Sequence, residues 1–433
     1  MLMTLDRTKR PAFAVLEKID IQIPERTLLA NGIPLNILRA GNEDVIRMDI
    51  LIGSGIWHQE IPLQALFTNR MLCEGTLHKH SAQISELFDF YGAWMEQTSS
   101  MNYNFLTLYS LGKHFEHTVA LLGEILLTPS FPENELQIVL KNNRQQYLVN
   151  SSKVNVVARK EFNRAFFGDG HPCGRYACVE DYDQLTREHL CQFYRKHYHA
   201  GNCSIYLSGN ITPSVIKAVE REFGNTTWGE GRQRQPLIPH DIPTFEGRQI
   251  HVPHKDAIQS SIRTGFPMME RTHPDYQEAR VLTTVLGGYF GSRLMNNIRK
   301  EKGYTYGIMA NLASYPFASV LTISTETDNE YATRCVEEIR HEMKRLQEEL
   351  ISEQELSMVQ SYMLGDMCRS HEGPFSLSDT WIFIETAGVG ETFFQDMACS
   401  IRQTTPERLR TLARKYFRPD DALEIVVGGK ENV

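Results

Sequence analysis

The sequence predicts an α+β protein made of two homologous halves in tandem, each a mostly antiparallel sheet covered by helices. Three observations carry this expectation. Residues 186–209, TREHLCQFYRKHYHAGNCSIYLSG, return without a gap at 405–428 as TPERLRTLARKYFRPDDALEIVVG, an offset of 219. Glu133, Glu135, Leu136 and Val139 return at an offset of 220 as Glu353, Glu355, Leu356 and Val359. Self-similarity at a fixed, long offset is the mark of a repeated unit. Finally, strand-like and helix-like segments come in runs rather than in strict β-α-β alternation, which favours α+β layers.

The elements follow in order. Residues 45–53 read as a strand, 62–72 as a helix, and 92–111, rich in Tyr, Phe, Thr and Ser, as a hairpin. Long helices are expected near 115–150. Thr186 then caps a helix of about three turns, because its hydroxyl accepts from an orphan amide and Glu188 favours the positive helix end. Gly201-Asn202 stops it, and 204–208 forms a short strand. The second half repeats this order: strand 261–266, helices 276–286 and 292–299, strands within 304–325, and long helices near 328–368. The helix capped by Thr405 and Glu407 and the strand 423–427 complete it. Between the halves, 229–247 (GEGRQRQPLIPHDIPTFEG) is polar, holds three prolines and reads as an extended linker. The expected division is 1–228, linker 229–247, and 248–433.

Composition narrows the function. The 433 residues include 45 basic and 53 acidic side chains, a formal charge of −8, with no basic stripe to hold nucleic acid. The most apolar run, 118–127, is broken by Glu124 and is too short to cross a membrane, and the N-terminus lacks a secretory pattern. Eight cysteines without Cys-x-x-Cys spacing suggest reduced thiols in a cytoplasm. His171, Cys173, Cys178, His189, Cys191, His197 and His199 crowd one segment, but a zinc site needs tight convergent spacing, and His189 and His197 are eight apart. The glycine-rich 287–291 lies between two helices rather than after a strand, so it reads as a turn and not a phosphate loop.

Residues 53–76, GSGIWHQEIPLQALFTNRMLCEGT, resemble the pitrilysin/insulinase family of zinc metallopeptidases. Gly53-Ser54, Met71-Leu72 and Gly75-Thr76 align with the family's Gly-Ser…His-x-x-Glu-His-Met-Leu…Gly-Thr. His171-Pro172-x-Gly174-Arg175 and the run SRLMNNIRKEKGYTYGI at 292–308 agree as well, so the resemblance spans roughly 25–430. It implies a clam-shell of two related halves. In active members two His on one helix face bind zinc and the Glu between them is the general base. Here those positions are Leu66-Phe67-Thr68-Asn69-Arg70, and the region of the third ligand reads Lys141-Asn142-Asn143-Arg144, with Asn142 in the carboxylate's place. The resemblance thus implies a degenerate site at Leu66, Asn69, Arg70 and Asn142. No zinc is expected in this chain.

The resemblance also implies a role for Arg299 and Tyr306. Family members use an Arg and a Tyr at this spacing, from the second half, to hold the scissile carbonyl and its oxyanion. A fixed guanidinium and a phenol hydroxyl suit that task. The favoured reading is a subunit inactive alone that completes a composite peptidase site with a zinc-bearing homologous subunit, as a heterodimer, or else pairs with itself. Its peptide substrate would add as a strand along Trp94, Met95, Glu96 and Gln97. The competing reading is a purely structural assembly subunit.

Overall fold

The computed structural model describes residues 8, 20–229, 234, 236–243, 247–255 and 257–429. Part of the expected linker, 230–233, 235 and 244–246, lies outside the described residues.

Eleven strands form two sheets among the described residues. The first joins β1 (Glu25–Leu28), β2 (Pro34–Arg39), β3 (Val45–Ile52), β4 (Trp94–Ser99), β5 (Asn104–Leu111) and β6 (Cys203–Gly209), in the order β1-β2-β6-β3-β5-β4. The second joins β7 (Gln249–Pro253), β8 (Gln259–Met268), β9 (Thr305–Tyr315), β10 (Ala318–Asp328) and β11 (Leu423–Gly428), in the order β7-β11-β8-β10-β9. Omitting β1, the orders coincide, with one parallel pair in each sheet, β2 with β6 and β7 with β11. The expected α+β halves are therefore present, while β1, β2 and β7 are strands the sequence reading missed.

The repeat is visible at atomic level. Thr186 caps the helix Arg187–His197 with φ −113° and ψ 161°, and Thr405 caps Pro406–Tyr416 with φ −114° and ψ 161°. Each Oγ1 accepts from a backbone amide three residues on, His189 at 3.4 Å and Arg408 at 3.2 Å. The long helices divide. The first breaks before Pro132 into Phe115–Leu127 and Glu133–Ser151, and the second breaks at Ser352, whose Oγ caps Glu353–Ser370. Proline lacks the amide a helix interior needs, and a serine hydroxyl competes for it.

Each strand sorts its side chains between two faces. On β3, Ile46, Met48, Ile50 and Ile52 enter the core of the outer helical layer, while Arg47, Asp49 and Leu51 face inward, as the period of two requires. The inner faces are covered by exchange. The helix Val154–Phe167 of the first half packs on β8 and β11 of the second. Its Phe162, Phe166 and Phe167 meet Val320, Leu423, Ile425 and Val427. Gly265 makes this approach possible, since a Cβ there would lie 2.9 Å from Phe162 Cζ. Reciprocally, Pro374–Ala387 of the second half packs on β2 and β6 of the first.

A buried charge cluster fastens the second contact. Arg47 Nη2 donates to Asp49 Oδ1 at 2.9 Å and to Asp379 Oδ1 at 2.6 Å, and its Nη1 donates to the Phe375 carbonyl at 3.3 Å. Thr107 and Ser378 add donors to the Asp49 carboxylate. Burial pushes the Asp49 carboxyl above its ordinary range, while Arg47 and Thr107 pull the other way. Removing Arg47 strands a buried acid. Arg47→Met should therefore cost roughly 3–5 kcal/mol in urea denaturation. Asp379→Asn, whose carboxylate is largely exposed, should cost no more than about 1 kcal/mol. In Arg47→Met/Asp49→Asn much of the larger loss should return.

Candidate functional site

The helix Gln64–Arg70 carries the five positions of the expected metal motif. It follows a loop pinned to the sheet: Ile56 N–H donates to the Ser100 carbonyl at 3.0 Å and Trp57 N–H to that of Met101 at 2.8 Å. Gly55 permits this approach, because a Cβ would stand 2.4 Å from the Ser100 oxygen.

The three key side chains of this helix are committed to structure. Asn69 is buried, and its Nδ2 donates to the carbonyls of Thr98 at 2.8 Å and Phe105 at 3.2 Å. Its Oδ1 accepts from the Tyr198 hydroxyl at 3.4 Å, and Tyr198 in turn accepts from Asn104 at 2.9 Å. Arg70 donates to Asn143 Oδ1, and Asn143 Nδ2 donates to the Val139 carbonyl at 2.9 Å. The residue facing Arg70 is thus Asn143, while Asn142 is exposed. Leu66 packs against the first half's core. An alkyl group, an amide bound to two carbonyls and a guanidinium do not fit a zinc ion, which takes thiolate, imidazole or carboxylate donors. Among the described residues no three His, Cys, Asp or Glu side chains come together as a metal cluster.

Among the described residues the strand β4 is an edge, paired only with β5. Its four sequence-nominated residues divide by face. Trp94 and Glu96 are exposed, and Trp94 stacks on Tyr109 with centroids 5.4 Å apart. Met95 and Gln97 turn to the helical layer: Met95 packs on its core and Gln97 Nε2 donates to the Asn69 carbonyl at 2.9 Å. Backbone groups along the free edge remain the part of β4 that a peptide can pair with.

Arg299 and Tyr306 come together in the second half. The Arg299 guanidinium lies 5.1 Å from the Tyr306 ring centroid and 4.6 Å from that of Phe290, so it sits between two aromatic faces. Gly303, at φ 68°, turns the chain back between them. Tyr306 is 90% exposed at the start of the edge strand β9. No carboxylate pairs with Arg299 among the described residues, which leaves its N–H donors available. Phe290 was missed in the sequence; the signal was a large apolar side chain inside the glycine-rich turn. Arg293 has another task, a bidentate pair with Glu355 at 2.9 and 3.0 Å.

Two histidines flank the entry to the Gln64–Arg70 helix, His58 and His197, with ring centroids 5.5 Å apart. His58 Nδ1 accepts from the Gly55 amide at 3.2 Å. Burial, reinforced by Arg234 and Lys196, pushes His58 down to about 4, and burial, reinforced by His58 and Lys196, pushes His197 down to about 3. Both folded values lie below the unfolded value of 6.5, so the unfolded chain takes up protons first as pH falls. Their stabilising effect is complete above pH ~6.5 and fades toward pH ~4 for His58 and pH ~3 for His197. After discounting for partial exposure, the loss should be roughly 2 kcal/mol per histidine. Denaturation series between pH 7.5 and 4.5 should show this slope, flattened in His197→Gln.

Residues 184–363 match the family described as the peptidase M16 inactive domain. The uncharacterized zinc protease YmxG of Bacillus subtilis is 23% identical over 407 residues, covering 93% of this chain and 98% of that protein. The non-peptidase homolog YmxG of Helicobacter pylori is 21% identical over 376 residues, 86% of this chain and 85% of that one. The crystal structure of a peptidase M16 inactive domain from Pseudomonas fluorescens shares the fold, with a TM-score of 0.80 at 20% identity, over 94% of this chain and 98% of that one. No helix among the described residues is long and apolar enough to cross a membrane. With this fold, and with its metal-motif helix built into the core by Leu66, Asn69 and Arg70, the chain is a homologue of the pitrilysin/insulinase (M16) zinc metallopeptidases that lacks their His-x-x-Glu-His motif.

Proposed function

We propose that the chain binds peptides and completes a composite peptidase site with a zinc-bearing homologous subunit. The observation that carries this reading is the contrast between the two sets of family positions. In the first half Asn69 and Arg70 are hydrogen-bonded to neighbouring elements and Leu66 packs on the core. In the second half Arg299 is held between Phe290 and Tyr306 with its donors uncommitted. A structural role alone gives no reason to keep an exposed tyrosine and an unpaired arginine at this spacing.

The chemistry assigned to this chain is limited to binding and charge stabilisation. An extended peptide pairs with the edge of β4, beside Trp94 and Glu96. Arg299 N–H groups and the Tyr306 hydroxyl donate to a substrate carbonyl oxygen as it gains negative charge. Donors fixed in place before reaction stabilise that charge without reorganising. The metal and the water it activates belong to the partner. All eight cysteines are free thiols, which supports a reducing, cytoplasmic setting.

The isolated chain should not cleave peptides. Mixed with a zinc-bearing M16 homologue, it should raise cleavage above that of the homologue alone. In the mixture Arg299→Ala or Tyr306→Phe should lower turnover about a hundredfold, near 3 kcal/mol in the transition state. Arg195→Ala, at an exposed ion pair in the other half, should leave it unchanged. Full activity of both site variants would reject catalysis in trans and leave a subunit that serves assembly.

A further inference from the structure

The duplication lets the two inner contacts be compared residue by residue. Along β6 and β11, whose sequences are 219 apart, Tyr206 lies opposite Asp49 and Ile425 lies opposite Arg263. Arg263 therefore holds the place of Asp49. By the same register Ser261, opposite Val427, holds the place of Arg47, opposite Ser208. The exchanged helices Val154–Phe167 and Pro374–Ala387 have 14 residues each and start 220 apart, which puts Arg159 in the place of Asp379.

One contact thus contains two acids bridged by an arginine. The other contains two arginines, with a neutral serine where the opposite charge would stand. At that place the structure opens into a cavity of about 680 Å³, lined by Arg159 from the first half and by Ser261, Arg263, Ser324 and Tyr306 from the second. Arg263 lies over Phe162 at 6.0 Å, and its buried Nε has no hydrogen-bond partner among the described residues. Neither arginine has a carboxylate within ion-pair distance among the described residues. Glu326 and Asp328 also line the cavity, but they stand opposite Ser261 and Gln259, two and four residues along β8 from Arg263. At about 3.3 Å per residue, that is roughly 7 and 13 Å away along the strand. Burial lowers the Arg263 pKa, Tyr315 works against that, and the charge of Arg159 lowers it further.

We infer that Arg159 and Arg263 form a carboxylate-binding site for peptides, joining the two halves through the bound anion. Guanidinium groups recognise carboxylates through paired N–H donors. The cavity is far larger than a single small anion needs and falls in the range of ligand pockets. Tyr306 on its wall connects it to the peptide path. The inference rests on peptide binding as proposed above, and not on composite catalysis.

The test uses the isolated full chain and calorimetric titration with three N-acetylated hexapeptides. One is poly-alanine ending in a free carboxylate, one is its C-terminal amide, and one is that amide with a single internal Glu. The free acid, the Glu-containing amide, or both should bind about tenfold or more tightly than the neutral amide. A preference for the first alone identifies a C-terminus as the ligand, and a preference for the second alone identifies an acidic side chain. Arg263→Met and Arg159→Met should each abolish the preference. Neither should lower the melting temperature without peptide, since each removes one of two like charges, and this reports that the variants fold. Equal binding of all three peptides, no binding of any, or a preference that survives in both variants overturns the site. If that happens while Arg299→Ala still impairs the mixed enzyme, only the carboxylate site falls.

Discussion

Each half of this molecule lends a helix to the inner face of the other half's sheet. Sheets of this kind have two faces to cover, and each half's own layer of helices covers only the outer one. The inner face of β8 and β11 is closed by phenylalanines from Val154–Phe167, and that of β2 and β6 by Trp381 and its neighbours on Pro374–Ala387. Apolar burial is the main force available for this, at ~25 cal/mol per Å². The surfaces assigned a role in the proposals above lie around this exchange. The cavity at Arg263 lies beside the exchanged helix Val154–Phe167, which lines it with Arg159, and β4 and β9 are the outer strands of their sheets.

The helix Gln64–Arg70 is tied into the structure by its own side chains. Asn69 can donate two hydrogen bonds where a carboxylate could only accept, and two backbone carbonyls of the edge hairpin receive them. Arg70 reaches Asn143 on Glu133–Ser151, linking the helix with the motif positions to the helix where the resemblance expects the third ligand. The same scaffold is thereby kept rigid by different chemistry.

Much of this was legible in the sequence. The gapless repeat announced the two halves, and Thr186 and Thr405 announced the caps that begin the same helix in each. The losses at Leu66, Asn69 and Arg70 were visible as residue types that cannot ligate a metal. The exchange of helices was not legible, because Val154–Phe167 and Pro374–Ala387 carry apolar residues whose partners are hundreds of positions away. For the same reason Arg47 and Asp379 gave no sign of meeting. Phe290 looked like part of a turn, and only the return of the chain at Gly303 places Arg299 on its ring. The division of Trp94 and Glu96 from Met95 and Gln97 follows from strand alternation, yet which pair is left exposed depends on the helix packed above.

The exchange has a consequence for ancestry. Two identical halves that swapped helices would form an isologous dimer, in which every seam contact occurs twice in the same form. Any charge introduced at one seam would appear at the other, and neither could specialise alone. Joining the copies in one chain removes that restriction, since each seam is then encoded separately. The acid–arginine–acid cluster at Arg47 and the two arginines with Ser261 in the place of Arg47 are what such independence permits. A symmetric ancestor could have carried one of these seams or the other, but not both.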